Sequence, residues 1–92
     1  MEISEILNLL KKNYLEQDIK SGPLFLLSVL SEEIGELNKA IRNNENIEEE
    51  IADVIFMIFS IANIYRINPE KKLIEKYLND PEKIKKKWKD IP

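Results

Sequence analysis

Val54-Ile55-Phe56-Met57-Ile58-Phe59 is apolar at six consecutive positions, and no half-exposed surface element can hold such a run. A helix that is apolar all round has to be covered all round. β-Branched and aromatic residues would also suit a buried strand. The flanks decide between the two. The apolar character continues to about Tyr65, and an unbroken glutamate-rich segment leads in from Glu48, so a helix over about 47–66 is predicted. A chain of 92 residues has too few other helices to bury it completely. The sequence therefore predicts a homo-oligomer, a homodimer or homotetramer, with this third helix forming much of the interface.

Two glycines and four prolines leave few breaks elsewhere. Ile3, Ile6, Leu7, Leu10 and Tyr14 recur at helical spacing, which predicts a first helix over 3–18. Ser21-Gly22-Pro23 interrupts it, with Pro23 suited to the first position of the next helix. That second helix, over 23–42, carries an apolar stripe of Leu26, Leu27, Leu30, Ile34, Leu37 and Ile41. Asn43-Asn44-Glu45-Asn46 is a polar turn, and Asn46 with Glu49 has the spacing of a capping box for the third helix. Asn68-Pro69 opens a fourth helix over 69–78, and Asp80-Pro81 opens a short fifth one through Trp88. The expected fold is all-α: one domain over 1–92, a small bundle of four main helices plus a short C-terminal helix.

The chain has no cysteine and no histidine. Disulfides, thiolate chemistry, the usual zinc ligands and the usual general base are all excluded. The segment Met1-Glu2-Ile3-Ser4-Glu5 has no secretory character, and the apolar stretch is too short and too polar to span a bilayer. A cytoplasmic protein with no membrane partner is expected. Charge is unevenly placed: residues 1–65 carry 5 basic and 12 acidic side chains, a balance of −7, and residues 66–92 carry 9 and 5, a balance of +4. Net acidity argues against nucleic acid as a partner.

Two acid pairs stand at i, i+3 spacing: Glu33 with Glu36, and Glu50 with Asp53. On a helix each pair shares one face, about 5–6 Å apart at Cβ. These acids interrupt apolar stripes instead of decorating polar faces. Asp53 lies about two turns inside its helix, where Asp is a poor residue. Carboxylates gathered in this way repel one another unless a cation joins them. With oxygen as the only available ligand type, Mg²⁺ is favoured, with Mn²⁺ as a substitute. Mg²⁺ keeps several waters and commonly takes substrate phosphates as further ligands, which points to phosphate-ester or phosphoanhydride chemistry.

Glu32-Glu33-Ile34-Gly35-Glu36-Leu37 followed by Glu50-Ile51-Ala52-Asp53-Val54 resembles the EExxE…ExxD signature of the MazG-type all-α nucleotide pyrophosphohydrolases. The surrounding Leu30–Ile41 segment and the Asp53-Val54-Ile55-Phe56 to Asn63 segment fit the same pattern. The resemblance covers roughly residues 23–79. It implies Mg²⁺-dependent hydrolysis of a nucleoside triphosphate to monophosphate and pyrophosphate, with removal of unwanted nucleotides as the role. Glu33, Glu36, Glu50 and Asp53 then correspond to metal ligands. Glu32, about 100° round the helix, either orients the water or pairs at the surface with Lys39 or Arg42. Glu48 and Glu49 are read as bystanders.

The resemblance places phosphate-binding residues on the fourth helix, where Lys76 and Asn79 correspond, with Lys83 or Lys86 standing in for absent arginines. Asn63 is a further candidate substrate contact, or else a structural bridge. Phe25 and Trp88 could stack a base, although Phe25 reads more readily as core and Trp88 as packing the last helix onto the bundle. Two other functions compete: a phosphoribosyl-ATP pyrophosphohydrolase, and a non-catalytic helical interaction module.

Overall fold

The computed structural model of the protein describes residues 1–88. Helix α1 (Ile3–Ser21), α2 (Pro23–Asn43) and α3 (Ile47–Ile64) follow in order. Helix α4 (Glu70–Leu73) runs on into a π-helical turn (Ile74–Leu78), and α5 (Pro81–Trp88) ends the described chain. Among the described residues there is no strand, so the all-α expectation holds.

The breaks carry the chemistry that the sequence offered. Gly22 takes φ 87° and ψ 154°, a conformation almost confined to glycine, and joins α1 to α2 directly. Pro23 then starts α2. Asn44 and Asn46 both sit in the left-handed region that asparagine tolerates, at φ 53° and 57°. Asn68 Oδ1 accepts the Glu70 backbone N–H at 2.9 Å, and Asp80 Oδ1 accepts that of Lys83 at 3.3 Å. Asp80 therefore caps α5 as its sequence predicts, whereas α4 starts one residue later than predicted, with Pro69 at the N-cap position and Asn68 holding the Glu70 N–H from just outside the helix. The capping box at Asn46 does not form. With Asn46 left-handed, its side chain makes no cap, and the first turn of α3 closes through the Glu50 N–H donating to the Asn46 carbonyl at 3.0 Å.

Helices α1–α3 form the packed unit, with α3 central: α2 lies most extensively against it and α1 next. Leu7, Leu26 and Ala40 are buried, and Tyr14 meets Phe56 edge-to-face at 5.0 Å and 70°. The inward face of α2 reads Leu26, Leu30, Glu33, Leu37, Ala40. Leu27, Ile34 and Ile41, although part of the predicted stripe, are exposed. Phe25 is exposed too, which corrects its assignment to the core: it lies off the packed face of α2. On α3, Ile51, Ile55 and Ile58 recur on one side and remain 44, 45 and 43% exposed. The apolar run is thus covered on part of its circumference by its own chain.

Helices α4 and α5 pack on the π-helical turn between them and make no substantial contact with α1–α3. Trp88 is exposed, so it does not pin α5 to the bundle as expected. The Cα radius of gyration is 15.3 Å, against about 12 Å for a compact domain of this length. No helix of the described chain is long and apolar enough to cross a membrane.

Candidate active site

The α2–α3 contact brings the acids together because the two helices are antiparallel neighbours joined by a short turn. Glu33 falls on the inward face of α2, in register with Leu30 and Leu37. Glu50 falls in the first turn of α3, where the helix dipole favours an acid. Asp53 follows one turn later. Carboxylate oxygens of Glu33, Glu50 and Asp53 all lie within 4.8 Å of one another. Glu33 and Glu50 are half-buried and Asp53 is exposed.

Glu36 is not within that group. It is exposed and lines an adjoining groove of about 170 Å³ at the α2–α3 turn, with Lys39, Asn43 and Glu50. A second groove, of about 290 Å³, is lined by Glu33, Asp53, Phe56 and Met57. Glu32 is exposed and lies outside both, and among the described residues it pairs with neither Lys39 nor Arg42.

Electrostatically Glu50 is the focus. Its carboxyl is pushed above the ordinary glutamate range, first by desolvation, then by the charges of Asp53, Glu33, Glu36 and Glu49. Its Oε2 is buried and has no hydrogen-bond partner. A carboxylate with a buried oxygen that lacks a donor, grouped with two further carboxylates, is a strongly unfavourable arrangement for bare anions. It suits a hard divalent cation, since every donor atom is a carboxylate oxygen.

The other sequence candidates lie elsewhere. Asn63 is buried, about 15 Å along α3 from Asp53, and its Nδ2 donates to the Leu7 carbonyl at 3.1 Å. It thereby ties α3 to α1. Lys76 and Asn79 belong to the C-terminal arm, residues 70–88; Lys76 lies over the Tyr77 ring at 5.4 Å, and the Asn79 N–H donates to the Ile74 carbonyl at 3.2 Å. That i→i+5 bond makes the turn π-helical, a local irregularity frequent at functional sites. Lys39, which the sequence offered only as a surface partner for Glu32, lines the groove beside Glu36 and Glu50. Its position three after Glu36, on the same face, was the available signal.

No curated protein and no solved structure matches the chain. A family model, the MazG nucleotide pyrophosphohydrolase domain, matches residues 21–87. That span holds α2, α3 and the clustered acids, together with the arm. The chain belongs to the MazG nucleotide pyrophosphohydrolase family.

Proposed function

We propose that the chain, acting as one domain, hydrolyses nucleoside triphosphates between the α- and β-phosphates. The products would be nucleoside monophosphate and pyrophosphate. The observation that carries the metal site is the Glu50 carboxylate, which has a buried, partnerless Oε2 and an oxygen within 4.8 Å of those of Glu33 and Asp53. Those three residues would hold Mg²⁺, or Mn²⁺ in its place. Bound there, the cation supplies neutralisation of phosphate charge and a lower pKa for the attacking water.

The chain's own groups do the rest. Glu36, at the rim of the cluster, joins the ligands or takes the proton of the attacking water, a role open to a carboxylate where histidine is absent. Lys39, in the same groove, meets a phosphate oxygen as the bond to pyrophosphate breaks. Phe56 and Met57 line the neighbouring groove, where they exclude water from the side next to Asp53. Glu32, outside both grooves, is left with a surface role.

The test is pyrophosphate release from a panel of nucleotides, with and without Mg²⁺. Wild type releases pyrophosphate only with the metal, and Asp53→Asn loses at least about 100-fold in rate while keeping its helicity. Mg²⁺ raises the melting temperature of wild type and leaves that of Glu50→Ala unchanged. No release from any nucleotide, or an Asp53→Asn variant as fast as wild type, overturns the reading.

A further inference from the structure

We propose that the groove between the first turns of α1 and the C-terminal end of α3 binds a phosphate group, held by Lys11 and Arg66. Asn63, in the lining of this groove, stands about 15 Å along α3 from Asp53. The site is therefore separate from the acid cluster and does not rest on the nucleotide reading of it.

Three observations carry it. The first is the composition of the lining. Ser4, Asn8, Lys11, Asn63, Arg66 and Asn68 are its polar members, and no acid is among them. Residues 1–65 carry a balance of −7, and both grooves at the α2–α3 contact contain glutamate or aspartate. A groove with two cations and no acid departs from that background. Glu5, beside Ser4 on α1, is turned to the Glu2 N–H, which its Oε1 accepts at 3.4 Å. Second, neither Lys11 nor Arg66 forms an ion pair among the described residues, whereas Lys20, Lys71, Lys72 and Lys85 all do.

The third observation is the backbone of Arg66. The Ile67 N–H donates to the Ala62 carbonyl at 2.9 Å, and that of Arg66 to Asn63 at 3.2 Å. This is a Schellman ending, and its left-handed position, at φ 57°, is filled by Arg66 where glycine would be unstrained. The α3 dipole favours a cation nearby, but one in the last helical turn would serve it without strain, and α3 has none there. Strain kept at a charged, unpaired residue in a groove points to use of its side chain. The groove, of about 150 Å³, is well below the size of a pocket for a nucleoside and suits one small polyatomic anion. Donors reach it from two sides, Ser4, Asn8 and Lys11 on α1 and Arg66 and Asn68 on the connection after α3. Asn68 commits its Oδ1 to the Glu70 N–H, which leaves its amide NH₂ to donate. A phosphate, with oxygens on every side, answers such a set better than a planar carboxylate.

The experiment titrates the full, ¹⁵N-labelled chain with inorganic phosphate, and separately with a nucleoside monophosphate, by NMR. Chelator is present throughout, so that no metal occupies the acid cluster, and ionic strength is held constant with chloride. Saturable shifts are expected at the side-chain amides of Asn8 and Asn68 and the backbone N–H groups of Arg66 and Ile67; the tighter of the two probes identifies the source of the phosphate. Arg66→Gly is expected to weaken binding by at least about 10-fold while raising the melting temperature without phosphate, because glycine relieves the left-handed strain. A variant that binds less and melts higher cannot owe its loss to unfolding. Lys11→Gln, at an exposed position, is expected to weaken binding by at least about 3-fold with its melting temperature unchanged. No saturable shift with either probe, shifts confined to the neighbourhood of Glu33, Glu50 and Asp53, or an Arg66→Gly variant that binds as tightly as wild type overturns the proposal.

Discussion

Residues 3–64 and residues 70–88 are both made of amphipathic helix, but they meet water differently. The first region buries Leu7, Leu26 and Ala40, orders Tyr14 against Phe56, and crosses α1 to α3 with a buried hydrogen bond. The second has no buried side chain, although it carries Leu73, Ile74, Tyr77, Leu78 and Trp88. Apolar content therefore does not separate them. What separates them is a partner: α2 and α3 are joined by a short turn and fold onto each other, whereas α4 and α5 make no substantial contact with α1–α3. The acids, which need enclosure to bind a cation tightly, belong to the packed region. Seven lysines belong to the other, against four in the first.

The largest expected difference between the regions is in truncation of a leucine. Leu26→Ala removes a buried side chain from the α2 face and is expected to cost about 3 kcal/mol of stability. Leu78→Ala removes an exposed one and is expected to change the stability of dissociated protein by about 0.5 kcal/mol or less. Chemical denaturation across a range of protein concentrations checks both. If copies of the chain associate through this side chain, Leu78→Ala loses more at high concentration. Equal losses at every concentration would erase the contrast.

Two polar side chains in α3 sharpen it further. Asn63→Ala leaves the Leu7 carbonyl without its donor and is expected to cost about 1–3 kcal/mol. Its KM is expected to stay at the wild-type value, since the amide is already engaged far from Asp53; a raised KM at unchanged stability would instead make Asn63 a substrate contact. Ser60 is 1% exposed and its hydroxyl has no partner. Ser60→Ala is therefore expected to stabilise the protein by about 1 kcal/mol, read from the same denaturation curves.

The helices were legible because their ends are marked by local chemistry. Gly22-Pro23, Asn68-Pro69 and Asp80-Pro81 act within a few residues, and each marks a helix start in the structure, Asn68-Pro69 one residue later than its sequence predicts. Glu33, Glu50 and Asp53 were legible for the same reason, since i, i+3 spacing and an apolar context are local. Three other matters were not. The stripe on α2 is wider than its packed face, so Ile34 and Ile41 could not be told from core without knowing which neighbours exist. Asn46 had the residue type of a cap, but its side chain makes none, with the backbone left-handed. Trp88 looked like an anchor, and its role depends on the direction in which residues 65–69 send the arm. Each of these turns on geometry between elements, which spacing along one chain does not encode.

The smallest effect isolates the cation's contribution from packing. Desolvation and the neighbouring acids raise the Glu50 pKa in the folded protein above its unfolded value. Between those two values the folded state binds more protons than the unfolded state, so stability falls as pH rises through that window. Above the window the penalty persists in full; below it, Glu50 is protonated in both states and the penalty vanishes. Chelator-treated Glu50→Gln, which cannot ionise, is therefore expected to melt above wild type near neutral pH and to match it at about pH 3, below the ordinary glutamate range. Mg²⁺ should reverse the order near neutral pH, because wild type gains binding free energy that the amide cannot provide. Thermal melts at the two pH values, with and without Mg²⁺, measure this directly. If wild type were the more stable without metal, Glu50 would be held by its own chain, and the packed region would need no cation to complete it.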